Sequence, residues 1–221
     1  MADRAAPMSG FDYIEAVKMR INAIPTRARM ARGQPGRDRL CRAGCPVPET
    51  FAHLVQHCGN SSGMRHRRHD NIALFVAERL RAVGWHVQRE RHLRTTSGLR
   101  KPDLIVSRDD RVAVIDVQVV GCGRPLNSLH RQKASYYDRP DIRRVLRPND
   151  PSSVEFTSVT TNFRGIWSSD SAAQLLQLGL RKSDLSIVSL RAIQGSMRIW
   201  RWTNRVTTTV QSRWAPRSRQ V

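Results

Sequence analysis

No stretch of this sequence is both long and free of polar residues. The longest apolar run, residues 112–122, carries Asp116 and Gln118 and falls short of the roughly 20 apolar residues that span a bilayer. The N-terminal MADRAAPMSGFDY lacks the apolar core of a secretory signal. Internal repeats are absent. Acidic residues are scarce: 18 Asp and Glu stand against 38 Lys and Arg, a formal net charge of +20 in 221 residues. The positive charge is spread along the chain with no single block holding it. Such an excess suits a polyanionic partner, most simply nucleic acid, although ribosome-binding and membrane-surface proteins share it. Cysteines number 4. Three of them cluster with His, which fits a metal in a reducing compartment better than a disulfide framework. Cys122 ends an expected strand and reads as a buried structural thiol.

The length suits one sizeable domain plus a small accessory module. FDYIEAVKMRINAI reads as a short helix broken by Pro25, and TRARMARGQPGRDR as a flexible basic linker. A polar loop, GNSSGMRHRR, is expected before a helix over 71–84. Asp70 or Asn71 caps that helix, Ile72, Phe75, Val76, Leu80 and Val83 form its apolar stripe, and Gly84 ends it. WHVQRE reads as a strand and RHLRTTSGLR as a basic loop. Two further strands cover about 102–106 and 112–120. A helix covers 126–138, RPDIRRVLRPNDPSS is a Pro-rich loop, VEFTSVTTNF is a strand, and SAAQLLQLGL and 184–206 are helical. The pattern is α/β, a small mixed sheet flanked by helices. The expected divisions are 1–40 (helix and linker), 41–58 (Cys/His module), 65–150 (core), 151–210 (strand and helices extending it) and 211–221 (basic tail).

CRAGCPVPETFAHLVQHC places Cys41, Cys45, His53 and Cys58 as Cys-x3-Cys-x7-His-x4-Cys. Thiolates and a neutral imidazole in this order suit a closed, tetrahedral, structural zinc site. Gly44 and Pro46 supply a tight turn for the first pair, and a short helix from Glu49 or Thr50 carries the second. Such a unit has almost no core, so the metal would supply its folding energy. His57 is the alternative to His53, and scattered free thiols are the alternative to zinc.

Asp116 lies in a nearly unbroken apolar strand, where a lone carboxylate loses its charge or lowers stability. If Asp109 and Asp110 form a two-residue hairpin turn, paired residues have numbers summing to 219, and Asp103 faces Asp116. Their Cβ atoms would then be about 5 Å apart. Two carboxylates this close need a shared proton or a cation, and Mg²⁺ takes one or two carboxylates plus phosphate oxygens. Val112, Val114, Asp116, Gln118 and Val120 share one face of the strand, while Ala113, Ile115, Val117 and Val119 share the other. Lys133 and Tyr137, four apart on the next helix, share a face and can assist at a phosphate. Taken singly, each also reads as a surface Lys and a core Tyr. Glu78 reads as a solvated helix face, and Glu90 as a further acid candidate.

Cys41/Cys45/His53/Cys58, then RHD (68–70), KPD (101–103), Asp116 and K-x3-Y (Lys133, Tyr137) come in one order. Over about residues 15–205 this resembles the C-terminal region of the Pol polyprotein of site-specific non-LTR retrotransposons, of the kind that inserts into ribosomal RNA genes. The resemblance implies a zinc knuckle followed by a restriction-endonuclease-like core of the PD-(D/E)xK superfamily. It implies that Asp103 and Asp116 hold catalytic Mg²⁺, that Lys133 is the catalytic lysine, and that Tyr137 belongs to the same motif. The superfamily's usual lysine, two residues after the second acid, is replaced here by Gln118, and this branch moves it to the following helix. Arg68 and His69 match a basic motif expected to contact the DNA backbone, with Arg100 and Lys101 and the basic loops beside it. The implied activity is nicking of target DNA to prime reverse transcription in the nucleus, with element RNA and a reverse transcriptase domain as partners. F/Y-x-D-D, the polymerase metal motif, is not found, so the chain is expected to be a fragment of such a polyprotein or a decayed or separate copy. A non-catalytic nucleic-acid-binding module on the same scaffold is the rival reading. A ribosome-associated basic protein is a third, and it leaves the ordered Cys/His and Asp/Asp/Lys sets unexplained.

Overall fold

The computed structural model describes residues 8–96 and 98–214, with residues 207–214 described by their backbone alone. The described residues form two compact units, one spanning Arg68–Ile193 and the other built from residues 8–67 with 194–214. No helix among the described residues is long and apolar enough to cross a membrane.

The first unit is a mixed α/β layer structure. Its helices and strands are α3 (Ser62–Ala82, of which the portion from Arg68 belongs here), β1 (His86–Arg89), β2 (Leu93–Thr95), β3 (Gly98–Arg100), β4 (Leu104–Arg108) and β5 (Arg111–Val120). They continue with α4 (Leu126–Tyr137), α5 (Pro140–Leu146), β6 (Val154–Asn162), α6 (Ser169–Gln177) and the first part of α7 (Lys182–Trp214). Four strands form one sheet in the order β1-β4-β5-β6, and β2 and β3 form a separate ribbon. The β4–β5 hairpin pairs Leu104 with Ile115 and Arg108 with Arg111. This is the register expected from a turn at Asp109 and Asp110, with Asp109 at φ +52°. β5 and β6 run parallel, so α4 and α5 make the crossover that parallel strands require.

The two faces of β5 divide as the alternation predicts. Ala113, Ile115 and Val117 enter a core with Ile72, Phe75, Val76 and Leu80 of α3, Leu175 of α6, and Leu185 and Val188 of α7. Val112 and Val114 enter a second core with Leu93, Ile105, Tyr137 and Ile142. Asp116 projects into this second layer, toward α4.

Several local expectations are corrected. α3 begins at Ser62, so Asp70 and Asn71 lie inside the helix and cap nothing. Its first turns carry few apolar residues and so show no stripe. Its end is as read: Gly84 at φ +93° follows, and Trp85 N–H closes back on Leu80 O at 3.0 Å. The basic stretch 91–100 holds the β2–β3 ribbon rather than a loop. Pro140 starts α5 at a first-turn position, where its missing N–H costs nothing. Cys122 is exposed, not buried.

The second unit holds α1 (Gly10–Arg20), α2 (Arg27–Met30) and the Cys/His segment. The stretch expected to be a flexible linker is tied down: Arg27 Nη1 donates to Asp38 Oδ2 at 2.8 Å, and Arg29 Nη1 to Asn22 O at 2.6 Å. The unit has buried side chains of its own, including Met19, Ile24, Phe51, Leu54, Val55 and Trp200. Phe51 and Trp200 pack with ring centroids 6.4 Å apart. Folding energy here therefore does not rest on a metal alone.

Candidate functional site

The Cys/His segment is built by two turns. Gly44, at φ +86°, donates its N–H to Cys41 O at 3.0 Å and closes the loop carrying Cys41 and Cys45. Thr50 Oγ1 accepts the His53 N–H at 3.0 Å and starts the second element. A π-helical turn, His53–His57, follows, and Cys58 N–H closes it on His53 O at 2.8 Å. That five-residue hydrogen bond brings His53 and Cys58 together. One ligand atom from each of Cys41, Cys45, His53 and Cys58 lies within 4.8 Å of the others.

The group fits zinc. Cys58 Sγ is 4.0 Å from Cys41 Sγ and 3.8 Å from Cys45 Sγ. Tetrahedral Zn–S bonds of about 2.3 Å set sulfurs about 3.8 Å apart, whereas a disulfide needs about 2.05 Å. His53 Nε2 is buried without a hydrogen-bond partner. Burial also holds its pKa below the ordinary value and keeps it neutral, as a ligand must be. Burial pushes the Cys58 thiol up to about 11, so its thiolate needs a cation. His57 is exposed. Behind the group, Glu49 is fully buried and accepts from Arg42 Nε at 2.7 Å and from Arg27 N–H at 3.0 Å.

The second cluster lies in the α/β unit. Asp103 stands one residue before β4, where the hairpin register sets it opposite Asp116. Asp103 Oδ2 accepts the Val117 N–H at 2.7 Å. Asp116 is 4% exposed. Its Oδ2 lies 2.9 Å from Lys133 Nζ, and its Oδ1 accepts the Tyr137 hydroxyl at 2.8 Å. Burial, and then the Asp103 charge, push the Asp116 carboxyl above its usual range, while Lys133 and Tyr137 pull it down. Burial likewise pushes the Tyr137 hydroxyl well up, so it stays a donor.

His69 joins this cluster from α3. Its Nε2 lies 3.1 Å from Asp103 Oδ2 and its Nδ1 lies 3.0 Å from Asp70 Oδ1. The Asp103 hydrogen bond is the main cause of its pKa rising to about 9. Two carboxylates thus meet two cations, Lys133 and His69. Sequence reading placed His69 at the DNA backbone and missed this contact; its closeness in sequence to Asp70 gives no sign of it. Arg68 is 4% exposed and offers little surface to a nucleic acid. Lys101 pairs with Glu90 Oε2 at 2.5 Å, both side chains being half exposed, and the Glu90 N–H donates to Asp103 O at 3.0 Å. The Arg100 guanidinium lies over the Tyr136 ring, 4.7 Å from its centroid. Glu78 is exposed. Gln118 donates to Leu129 O at 3.1 Å and Thr160 Oγ1 at 2.8 Å.

No family model matches the chain. Among known proteins it is 40% identical over 193 residues to the Retrovirus-related Pol polyprotein from type-2 retrotransposable element R2DM of Drosophila melanogaster. It is 39% identical over 209 residues to the Pol polyprotein from type-1 retrotransposable element R2 of Bradysia coprophila, and 34% identical over 204 residues to one of Popillia japonica. These matches cover 86%, 94% and 91% of the chain but 18%, 24% and 42% of the relatives, so the chain corresponds to a minor part of their length. Over most of its length, the chain is a homologue of R2 retrotransposon Pol polyproteins.

Proposed function

We propose that this chain is a metal-dependent DNA endonuclease of the PD-(D/E)xK type, joined to a zinc knuckle. The observation that carries this reading is the meeting of Asp103, Asp116, Lys133, Tyr137 and His69 in one cluster. Two carboxylates on neighbouring strands suit Mg²⁺, which accepts a few protein oxygens and fills its shell with water and phosphate. Asp103 and Asp116 would hold the ion, which supplies Lewis acidity and a lowered pKa for bound water. Lys133, with its side chain about one-third exposed, can leave Asp116 Oδ2 and follow the phosphate's developing negative charge. Tyr137 holds the Asp116 carboxylate in its rotamer, and Val117 N–H and His69 hold Asp103. The net charge of +20 supplies phosphate contacts that weaken steeply with salt.

The relatives are Pol polyproteins, which supports a role beside a reverse transcriptase: nicking target DNA in the nucleus so that the free 3′ end primes copying of element RNA. The test is plasmid nicking by the purified chain with and without Mg²⁺, beside Lys133→Met and Asp103→Ala. Nicking that requires Mg²⁺ and falls about 100-fold or more in each variant supports the enzyme. Binding that is salt-sensitive and equal in all three proteins, with no nicking, supports the non-catalytic binding module instead.

A further inference from the structure

Beside the carboxylate cluster lies an open hollow of about 400 Å³ that the proposed chemistry does not use. Its walls come from Val120, Arg124, Leu129, Gln132, Lys133 and Tyr136. Lys133 belongs to both places: its Nζ is 2.9 Å from Asp116 Oδ2 and 5.8 Å from the Tyr136 ring centroid. The ring centroid is therefore within about 9 Å of that carboxylate oxygen. A nucleotide whose phosphate sits at the carboxylates has its own base, or its neighbour's, within reach of the ring.

The chemistry of the hollow suits a nucleobase. Tyr136 is a large aromatic ring left 48% exposed. It packs edge-to-face on Tyr137 at 5.0 Å, which fixes its plane, and Arg100 lies over it. Leu129 and Val120 give apolar floor, and the rim is polar. Arg124 Nη2 and Gln132 Oε1 meet there at 3.4 Å, a long contact that a base edge can replace. A flat π-face with polar edges matches an aromatic wall, a guanidinium that follows the stack, and an amide at the rim.

Resting on the endonuclease reading, we infer that this hollow is a nucleobase subsite. It stacks one unpaired base of the cleaved strand on Tyr136, next to the phosphate held at Asp103 and Asp116. Tyr136 is then a positioning residue, with no part in the bond-breaking step.

The probe is a short single-stranded DNA carrying 2-aminopurine, whose fluorescence is quenched by stacking. The wild-type chain and Tyr136→Phe should quench it and bind alike. Tyr136→Ala should bind about 5- to 150-fold more weakly, the equivalent of about 1–3 kcal/mol of base stacking, and lose the quench. Nicking of DNA lacking the base beside the cut should be slow in the wild type and no slower in Tyr136→Ala. Tyr136→Ala that quenches and binds like the wild type overturns the subsite, whether or not the chain cuts DNA. Asp116→Asn that cuts like the wild type overturns the active-site reading and leaves the quench to judge the subsite separately.

Discussion

His69 is held between two carboxylates, so its proton should appear in the stability of the fold. Its pKa rises from the ordinary 6.5 to about 9, chiefly through the hydrogen bond to Asp103. At 1.36 kcal/mol per pKa unit, a full conversion gives about 3 kcal/mol. The side chain is 31% exposed, and solvent screening reduces this to about 1–2 kcal/mol. The sign follows from the direction. A raised folded-state pKa means that the folded chain keeps a proton the unfolded chain releases. The stabilisation is complete below pH 6.5 and is lost as pH rises through about 9. His69→Gln keeps a donor toward Asp103 but cannot titrate. Urea unfolding without added Mg²⁺, followed through the buried Trp85, should show the wild type ahead of this variant below pH 6.5. The gap should close by about 1–2 kcal/mol above pH 9. An imidazole titrating near 6.5 by NMR, or two stability curves that stay parallel, would show that Asp103 does not hold the His69 proton.

The purified chain should carry zinc, measured by elemental analysis. Cys58→Ser should lose it and expose the amides of 41–58 to hydrogen exchange, whereas Cys122→Ser should keep both metal and protection, since Cys122 is exposed and not one of the four grouped residues. Glu49→Gln should destabilise the unit that holds it by about 3–5 kcal/mol in chemical unfolding, because it leaves Arg42 without its buried partner. Burial pushes the Glu49 carboxyl up, but the hydrogen bonds from Arg42 and Arg27 outweigh it and hold the net value below 4.5. The wild type should therefore keep this advantage above pH 4.5 and lose it as pH falls through the folded value.

Much of the site could be read from pattern, because the pattern is local. SRDDR is polar and centred on two residues, and period-two alternation on either side fixes the pairing once the turn is placed. The observed Leu104–Ile115 register and the two faces of β5 follow from that alone. The Cys/His spacing likewise brought its four residues together. What escaped was non-local or masked by composition. The His69–Asp103 contact joins residues 34 apart through packing of α3 on the sheet. The first turns of α3 are basic and show no apolar stripe, although Ser61 Oγ and Arg65 fasten that end to Leu54 O and Cys58 O. α5 hides behind Pro140, which reads as a breaker but sits where a helix begins. Arg68 belongs to a basic run, yet tertiary packing buries it.

The most direct test compares Asp116→Asn with the wild type in one preparation, measuring Mg²⁺-dependent plasmid nicking and DNA binding together. Asparagine keeps the shape of the side chain and can still accept the Tyr137 hydroxyl, but it removes the charge that faces Lys133. Nicking should fall below detection while salt-sensitive DNA binding, carried by the basic surface, survives. Nicking by Asp116→Asn at the wild-type rate would contradict the claim that this carboxylate pair is the active site.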